Sequence, residues 1–499
     1  MTKGGFLKLK RKERLSQTNS DYEPASVQDT IARLKNDARF RHRTEPVSIR
    51  TAFGRVLARD IVAKDDIPRY DVTHMDGYAV SSEDIADASE ISPVMLKVKG
   101  RLLLPGNGIK KRIGRGEAYA VATGSRLPDG ADTVVPVENV VMITSAATMN
   151  TRTEKNGNHG TKQGRIDQRL ATLASRGEEA QEKGVSQPRI KIQNPLHRGA
   201  FVYHAGADAK KGELLLQKGT ALRSQDVGML ASLKMSRVPV FTIPKIAIIP
   251  TGDELTDDIT GTTKVSHSSS SPPKKKGKKV LNSNSPVLTK LIEGMGAITH
   301  YDGIAPDDFK AIRTRIKRAI RICDMVITLG GSSAGKFDLV ETAIDSLGKP
   351  GVIARGIAVD RGRVTGAGII KRKPIVILPG PIQGAVSGFI ALALPLIEYM
   401  TGSSTATNTR LLQIPATLAT DWRARNKFRD YLKVVYVSLV QTDDDDDGIR
   451  SFKAEPVQAE SESMKVLVKA NGYVIVPESV TCMAAGSNVS VQLLPGFSF

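Results

Sequence analysis

The pattern of apolar and polar positions changes several times along the chain. Near its start, VQDTIARLKNDARF has the spacing of an amphipathic helix that begins close to Ser26. Residues 92–142 and 189–219 instead carry short apolar runs separated by Gly and Pro, a pattern typical of β-rich segments. A second helix is predicted over 224–233, with Ser224 as its N-cap.

From residue 245 onward, strand-like and helix-like segments alternate. The runs KIAIIP, ITHY, DMVITL, VIARGIAV and PIVIL are separated by helical patterns at 284–296, 307–320, 338–347 and 382–399. Asn284 or Ser285 is expected to cap the first of these helices. This alternation predicts a parallel, doubly wound sheet, whose ligands bind outside the carboxyl ends of the strands.

The last hundred residues return to a β-like pattern. The runs YLKVVYVSLV, MKVLVKA and YVIVPE are predicted strands, and TDDDDDG (442–448) is the expected tip of a hairpin. Two stretches elsewhere lose apolar periodicity and are predicted to be a disordered insertion (145–188) and a flexible basic loop (260–279).

These patterns predict a mixed α/β multidomain protein. The expected divisions are a disordered basic head (1–20), a linker or dimerisation domain (21–70 and 189–243), a β-rich domain (71–188), an α/β domain (244–401) and a C-terminal β domain (402–499).

Composition narrows the function classes. The net charge of +20 is concentrated in 3–14 and 272–279, which indicates loose contact with polyanions rather than a specific nucleic-acid site. Cys323 and Cys482 are expected to be reduced core thiols, so a cytoplasmic location fits. The run GFIALALPLI (388–397) is too short to span a membrane and is predicted to be a buried helix.

A glycine-rich loop, ITLGGSSAGKFDL, follows one of the predicted strands. From Gly330 to Lys336 it matches the phosphate-binding P-loop pattern, but Phe337 occupies the position of the Mg²⁺-binding hydroxyl. Backbone amides at a helix start favour anions, and Asp338 offers a hard oxygen ligand one residue later. A purely structural strand–turn–helix connection is an equally good interpretation of the loop alone.

Two further carboxylates follow another strand in PTGDEL. Asp253 and Glu254 stand at the expected carboxyl edge of the sheet, where Asp253 and Asp338 could share a divalent cation. Their alternative role is helix capping. The segments MDGYAV and ATGSRLPDGADTVVPVEN indicate, by local pattern alone, a turn and a β-hairpin.

Taken in order, these motifs resemble the molybdopterin molybdenumtransferase family, which includes the C-terminal domain of gephyrin. MDGYAV, ATGSRLPDGADTVVPVEN, IIPTGDEL, NSNSPVLTKLIEGMGA, ITLGGSSAGKFDLV, VILPGPIQGAVSGF and KANGYVIVP occur in the family's order, over roughly 21–142 and 189–499. The resemblance implies an elongated homodimer whose α/β domain binds molybdopterin. It also implies insertion of molybdate into adenylylated molybdopterin, with Mg²⁺ required and AMP released.

The resemblance also implies roles for particular residues. Asp76 and Thr123 would face a cleft shared between subunits, and Asp253 and Asp338 would hold Mg²⁺ or position molybdate. The remaining residues would bind the terminal phosphate or line the pocket: Gly330, Gly331, Ser332, Ser333, Gly335, Arg361, Arg363, Pro379 and Gly380.

Three departures from the family pattern keep other hypotheses open. Asp360 stands where a lysine is usual, Ile382 where a proline is usual, and Ala207 where an acidic residue is usual. A non-catalytic pterin-phosphate carrier or scaffold and a tungstate-preferring insertase are therefore alternatives. A P-loop kinase or ATPase is disfavoured by Phe337. Neither a membrane nor a specific nucleic acid is an expected partner.

Overall fold

In the computed structural model, the described residues are 23–38, 40, 42–106, 110–143, 188–259, 279–330, 337–403, 412–443, 450–457 and 463–494. They form two compact units, one built from Asp60–Leu216 with Met229–Met235 and the other from the remaining described residues. The predicted basic head (1–20) and almost all of the predicted insertions 145–188 and 260–279 lie outside the described residues.

The first unit is organised around a six-stranded sheet. Its strands are β1 (Gly77–Val80), β2 (Val94–Leu103), β3 (Glu117–Val121), β4 (Thr133–Pro136), β5 (Val140–Ile143) and β6 (Arg189–Ile192), in the order β4-β1-β3-β2-β6-β5. Only β2 and β3 pair in parallel. The sequence pattern places β6 in the linker domain, and the structure corrects this. Ile143 of β5 pairs directly with Arg189 of β6, so β6 belongs to the sheet of the first unit.

Several short elements complete the two units. They are the strand pairs Ile61–Val62 with Leu214–Leu216, Val72–Thr73 with Val202–Tyr203, Thr44–Ser48 with Arg237–Phe241, Leu255–Thr256 with Val280–Leu281 and Trp422–Arg423 with Cys482–Met483, the helix Ser224–Ser232, and the 3₁₀ turns Ile49–Thr51, Glu83–Ile85, Val137–Asn139 and Asn426–Phe428.

The second unit contains the α/β domain predicted from the alternating pattern. Its elements are α1 (Val27–Ala38), β7 (Lys245–Pro250), α2 (Asn284–Gly294), β8 (Ile298–Tyr301), α3 (Phe309–Ile322), β9 (Met325–Leu329), α4 (Phe337–Asp345), β10 (Pro350–Ala354), β11 (Gly366–Ile370), β12 (Lys373–Leu378), α5 (Ile382–Gly388) and α6 (Leu394–Thr401). The strand order is β8-β7-β9-β12-β11-β10.

The sheet is parallel only over β8, β7, β9 and β12, which corrects the expectation of a wholly parallel sheet. Strand β11 runs antiparallel to both of its neighbours, β10 and β12, and a tight hairpin joins it to β12. Its two turn residues, Lys371 and Arg372, have φ of 50° and 62°. Two positive φ values are the signature of a two-residue turn whose twist matches the flanking strands.

Both faces of this sheet are buried, which explains the continuous apolar runs of its strands. Ile248 and Ile327 join the core on one face, together with Leu34 of α1. Ile249 and Val326 join the core on the other face with residues of α3 and α4.

The helix that follows β12 is longer than the sequence predicted. A π-helical turn, Phe389–Ala393, joins α5 and α6 into one helix from Ile382 to Thr401. These 20 residues have the length and composition of a membrane-crossing helix, yet 83% of the most apolar window is buried inside the protein. The segment therefore has the burial of a core helix.

The C-terminal part of the second unit is a closed barrel. Strands β13 (Gln413–Leu418), β14 (Lys433–Asp443), β15 (Arg450–Pro456), β16 (Gly472–Val476) and β17 (Asn488–Leu493) close in the order β13-β15-β14-β16-β17. Asp443 pairs with Arg450, so the TDDDDDG segment connects a hairpin as predicted, although 444–449 lie outside the described residues.

Two predictions for this region were wrong. The run MKVLVKA, predicted as a strand, contains the helix α7 (Met464–Lys469), and its Val466 packs into the core shared with the α/β domain. Cys323 is buried as expected, but Cys482 is an exposed free thiol in a two-residue strand paired with Arg423.

Candidate active site

A cavity lies at the carboxyl ends of three neighbouring parallel strands, β7, β9 and β12. Its volume is about 380 Å³. Each strand contributes the residues at its end or just beyond it, and α2 contributes its first turn. The lining residues are Pro250, Thr251, Glu254, Leu255, Val280, Leu281, Asn282, Ser283, Asn284, Leu329, Gly330, Gly380, Pro381, Ile382 and Met464. The position is the one that the sequence predicted for a ligand.

Two helices begin at this cavity. Helix α2 starts after Ser283, which replaces the predicted cap at Asn284 or Ser285, and α5 starts after Pro381. Among the described residues, neither Ser283 nor Pro381 makes a side-chain capping hydrogen bond. Helix N-termini carry partial positive charge and exposed amide donors. Two of them at one cavity favour an anionic ligand.

Gly330 joins the ends of β7 and β9 in a way that only glycine permits. Its φ is +89°, and a Cβ atom there would lie 2.8 Å from the carbonyl oxygen of Thr251. The amide of Gly330 donates to Leu378 O at 3.1 Å. The loop residues Gly331, Ser332, Ser333 and Gly335 lie outside the described residues.

The LPG segment reaches the cavity through Gly380. The carbonyl oxygen of Gly380 accepts a hydrogen bond from Asn284 Nδ2 at 2.6 Å, which ties this loop to the start of α2. Pro379 is buried and does not belong to the lining formed by the described residues.

The two carboxylates of PTGDEL point to different surroundings. Glu254 lines the cavity, whereas the exposed Asp253 exchanges hydrogen bonds with Asp307. Asp307 N donates to Asp253 Oδ1 at 3.1 Å, and Asp253 N donates to Asp307 Oδ2 at 3.2 Å. The side chain of Asp338, near the start of α4, lies outside the described residues, so a shared cation stays a prediction.

A polar network around the buried side chain of Asn282 fixes one wall of the cavity. The side chain of Asn282 donates to Asp257 Oδ1 and to Tyr301 Oη, both at 2.9 Å, and accepts from Ser285 Oγ at 2.9 Å. Tyr301 Oη donates to Asp257 Oδ2 at 2.7 Å. Burial, and then the bond to Asp257, raise the pKa of Tyr301, so the hydroxyl stays protonated as a donor.

Sequence reasoning missed the network around Asn282, and it placed Glu254 at the edge of the sheet without giving it a role in the site. The signal that could have found Asn282 is its position in the polar run NSNS at the predicted start of a helix. Of its partners, Asp257 follows the short strand Leu255–Thr256 and Tyr301 ends β8, and no local pattern connects them to it.

Asp76 and Thr123, the predicted cleft residues of the first unit, are in direct contact. Asp76 Oδ1 accepts from Thr123 N at 2.6 Å and from Thr123 Oγ1 at 2.7 Å. The contact forms because β1 and β3 are antiparallel, with Gly77 opposite Val121. A Cβ atom on Gly77 would lie 2.1 Å from Val135 O, so this strand start requires glycine.

The segment that replaces the usual lysine-containing loop is tied to the barrel. Arg425 binds the carboxylate of Asp360 through two nitrogens, and Asp360 N donates to Leu432 O at 2.9 Å. Asp360 is thus neutralised by an ion pair.

The two arginines of this segment differ in burial. Arg361 is half-buried and Arg363 is exposed. Burial raises the pKa of the Tyr436 hydroxyl, and the positive charge of Arg361 partly offsets this increase. Among the described residues, neither arginine lines the cavity.

These features define a class of multidomain ligand-binding proteins. Its members have an α/β domain with an anion-favouring cavity at its strand ends, a closed barrel joined to that domain, and a β-rich unit. Three family models match this chain in succession. They are the MoeA N-terminal region (domain I and II) at 25–233, a probable molybdopterin binding domain at 247–399, and the MoeA C-terminal region (domain IV) at 415–494. The chain belongs to the MoeA family, which confirms the resemblance found in the sequence.

Named relatives extend over most of the chain. A molybdopterin molybdenumtransferase of Bacillus subtilis is 28% identical over 90% of each chain. One of Staphylococcus aureus is 26% identical over 82% of this chain and 83% of its own. A solved molybdopterin biosynthesis MoeA protein from Pyrococcus horikoshii is 27% identical, with a TM-score of 0.68, over 95% of this chain and 100% of its own.

Proposed function

We propose that this protein is a molybdopterin molybdenumtransferase. It acts in molybdenum cofactor biosynthesis, inserting molybdate into the dithiolene of adenylylated molybdopterin and releasing AMP. The observation that carries the proposal is the cavity at the ends of β7, β9 and β12, with two helix N-termini at its wall, inside the stretch that matches a molybdopterin binding domain. Homodimerisation and a cytoplasmic location belong to the same proposal.

The chemistry needs negative charge to be stabilised at two places. The substrate carries phosphate groups, and molybdate is itself an oxyanion. Preorganised donors and dipoles aimed at developing charge are usually the largest contribution to catalysis of such reactions. Helices α2 and α5 would supply them, with Gly330, Gly331, Ser332, Ser333 and Gly335 around the terminal phosphate and Pro379 and Gly380 beside it. Arg361 and Arg363 would add positive charge at longer range.

A magnesium ion fits the chemistry of the acidic residues at this edge. Carboxylate oxygens are the ligands that Mg²⁺ prefers. Asp253 uses Oδ1 for the amide of Asp307, and no described residue hydrogen-bonds its Oδ2. Asp253 and Asp338 would hold the ion, which would neutralise charge on phosphate and molybdate oxygens. Glu254 would face the ligand from the cavity wall.

Asp76 and Thr123 would act on the substrate from the partner subunit. Their mutual hydrogen bonds fix the carboxylate of Asp76 in one orientation, as a positioned charge requires. Of the three residues that depart from the family pattern, Ala207 and Ile382 are not part of the Asp76–Thr123 pair. The third, Asp360, is neutralised by Arg425. These observations favour an active enzyme over a carrier.

The test is a single-turnover reaction with purified protein, adenylylated molybdopterin and molybdate. We expect AMP and bound molybdenum to form together in equal amounts, and neither to form when molybdate is omitted. Tight pterin binding without AMP release would instead identify a carrier. A parallel reaction with tungstate would identify a tungstate-preferring insertase if its rate exceeded that with molybdate.

Thr123 provides a finer test of the proposed site. Thr123→Val keeps the shape of the side chain but removes the hydroxyl that donates to Asp76, so kcat for AMP release should fall roughly tenfold. Thr123→Ser keeps the donor and should retain most of the activity. An unchanged rate in Thr123→Val would contradict the role of this pair.

A further inference from the structure

The sheet of the first unit has two faces with different coverings. On one face, Leu96, Ile190 and Ile192 are almost fully buried in the main core of the unit. On the opposite face, Ala79, Val121 and Val134 of β1, β3 and β4 are buried in a second, smaller core. That second core reaches β2 only at Leu103, and it includes no described residue of β6 or β5.

The uncovered part of this second face carries large apolar side chains in the open. Met95, Val141 and Ile143 are 37%, 51% and 42% exposed. Directly paired residues of neighbouring strands share a face, so the register places two rows across β2, β6 and β5. One row is Met95–Lys191–Val141 and the other is Lys97–Arg189–Ile143. We call these six residues the open face.

The three basic residues of the open face outnumber the carboxylate beside them, Glu117. In the part of the chain that the structure describes, no carboxylate lies within ion-pair distance of Lys97, Arg189 or Lys191. The adjacent Lys99 provides a contrast, because its Nζ lies 2.9 Å from Glu117 Oε1. Glu117 lies opposite Lys97 in the strand register and attracts it, but its carboxylate forms its ion pair with Lys99. The open face therefore combines three positive charges, none of them in an ion pair with a described carboxylate, with three exposed apolar groups.

We propose that the open face is a docking surface for a protein segment that carries both acidic and apolar side chains. Three cations call for carboxylates, and the apolar groups between them call for aliphatic side chains at the two-residue spacing of a strand. Strand β5 is the edge of the sheet, so an extended segment can lie beside it or across it.

Two other classes of partner fit the open face less well. Single-stranded nucleic acid binds through aromatic stacking platforms, and the open face contains no aromatic residue. Membrane surfaces are bound by helices with a large apolar face that often carries Trp, Phe or Leu, whereas the open face is a sheet surface with single Met, Val and Ile side chains. An acidic protein segment matches both the charge and the size of its groups.

Methyl NMR on the full chain tests the proposal directly, since Met95, Val141 and Ile143 all carry methyl groups. The probe is a ten-residue peptide of alternating glutamate and valine. We expect it to shift the methyl signals of these three residues and to leave those of Ile190 and Ile192 nearly unchanged. The same peptide with lysine in place of glutamate should produce no shift.

Charge reversal supplies a matched control. The triple variant Lys97→Glu, Arg189→Glu, Lys191→Glu should bind the acidic peptide roughly tenfold or more weakly. Reversal of three other exposed lysines of the same unit, Lys64, Lys110 and Lys111, should leave binding unchanged. Equal weakening by both triple variants would reduce the effect to net charge and overturn the proposal.

Four further outcomes would also overturn it. The first is a set of methyl shifts caused by oligo-dT but not by the peptide, and the second is a set caused only by phosphatidylserine vesicles. The third is a set of shifts that depends on protein concentration, which would assign the open face to a second copy of the chain. The fourth is a change at the same methyls when 144–187 are replaced by a short turn, which the pairing of Ile143 with Arg189 allows. That result would show that the chain covers its own open face.

Discussion

Replacing Asp253 by asparagine should lower the rate of AMP release by a factor on the order of 10²–10³. The substitution keeps the shape of the side chain, and the amide oxygen can still accept from the backbone N–H of Asp307. What it removes is the negative charge that the proposed Mg²⁺ ion would require from this ligand. The measurements are kcat and the Mg²⁺ concentration for half-maximal rate, which should rise in the variant.

Matched variants separate this role from general effects of charge. Asp87→Asn removes an exposed carboxylate of the first unit and should leave the rate unchanged. Glu254→Gln tests the neighbouring carboxylate, which lines the cavity. If Glu254→Gln abolished the reaction while Asp253→Asn retained it, the metal-binding role would belong to Glu254.

Much of the α/β domain could be predicted because its strands are buried on both faces. In the run DMVITL the only polar residue of the strand itself is Thr328, which is also buried, and β9 occupies Met325–Leu329 as expected. Strand β11 was harder to find, because GAGII has two glycines and a weak strand propensity. Its place in the sheet depends on the hairpin with β12, which is set by the φ angles of Lys371 and Arg372.

The wrong prediction for α7 has a different cause. A short apolar run such as VLV is compatible with a strand or with one turn of a buried helix, and periodicity does not separate the two. Val466 is buried in the core shared by the barrel and the α/β domain, so tertiary packing decides for the helix. Strand β6 was assigned to the wrong domain because a long insertion separates Ile143 from Arg189 in sequence, although they pair in the sheet.

The candidate site shows the same limit at the level of side chains. The order of the motifs predicted Gly330, Gly380, Asp76 and Thr123 as site residues. Gly330 and Gly380 line the cavity, and the roles of Asp76 and Thr123 stay predictions. The hydrogen bonds between Asp76 and Thr123 span 47 positions of sequence, and those from Asn282 to Asp257 and Tyr301 span 25 and 19 positions. Such contacts are set by the register of the sheets, which no single motif specifies.

Lys433 presents the largest stability effect that we expect outside the site. Its side chain is 1% exposed, and Nζ donates to the carbonyl oxygens of Arg429, Pro477, Glu478 and Val480 at 2.5 to 3.2 Å. Lys433→Met keeps most of the volume but leaves four partly buried carbonyls without this donor. The free energy of unfolding should fall by about 1–3 kcal/mol, because the lost hydrogen bonds outweigh the relief from burying the charge.

The single tryptophan of the chain provides the measurement, because Trp422 lies in the core of the barrel. Its fluorescence in urea should show an earlier unfolding transition for Lys433→Met. Lys453→Met, at an exposed position of β15, should change the unfolding free energy by less than about 0.5 kcal/mol. Coincident transitions for both variants would contradict the role of Lys433.

The pH dependence of the unfolding free energy tests the burial of Lys433 in a second way. Burial lowers the pKa of Lys433 below its ordinary value of 10.5, so near that pH the unfolded chain binds more protons than the folded one. The contribution of Lys433 to stability therefore rises with pH between its lowered pKa and 10.5, and below that window the cost of burying the charge is fully present. Lys433→Met should lose this slope, whereas Lys453→Met should keep it. An identical slope in all three proteins would show that the ammonium group of Lys433 is not the group that burial perturbs.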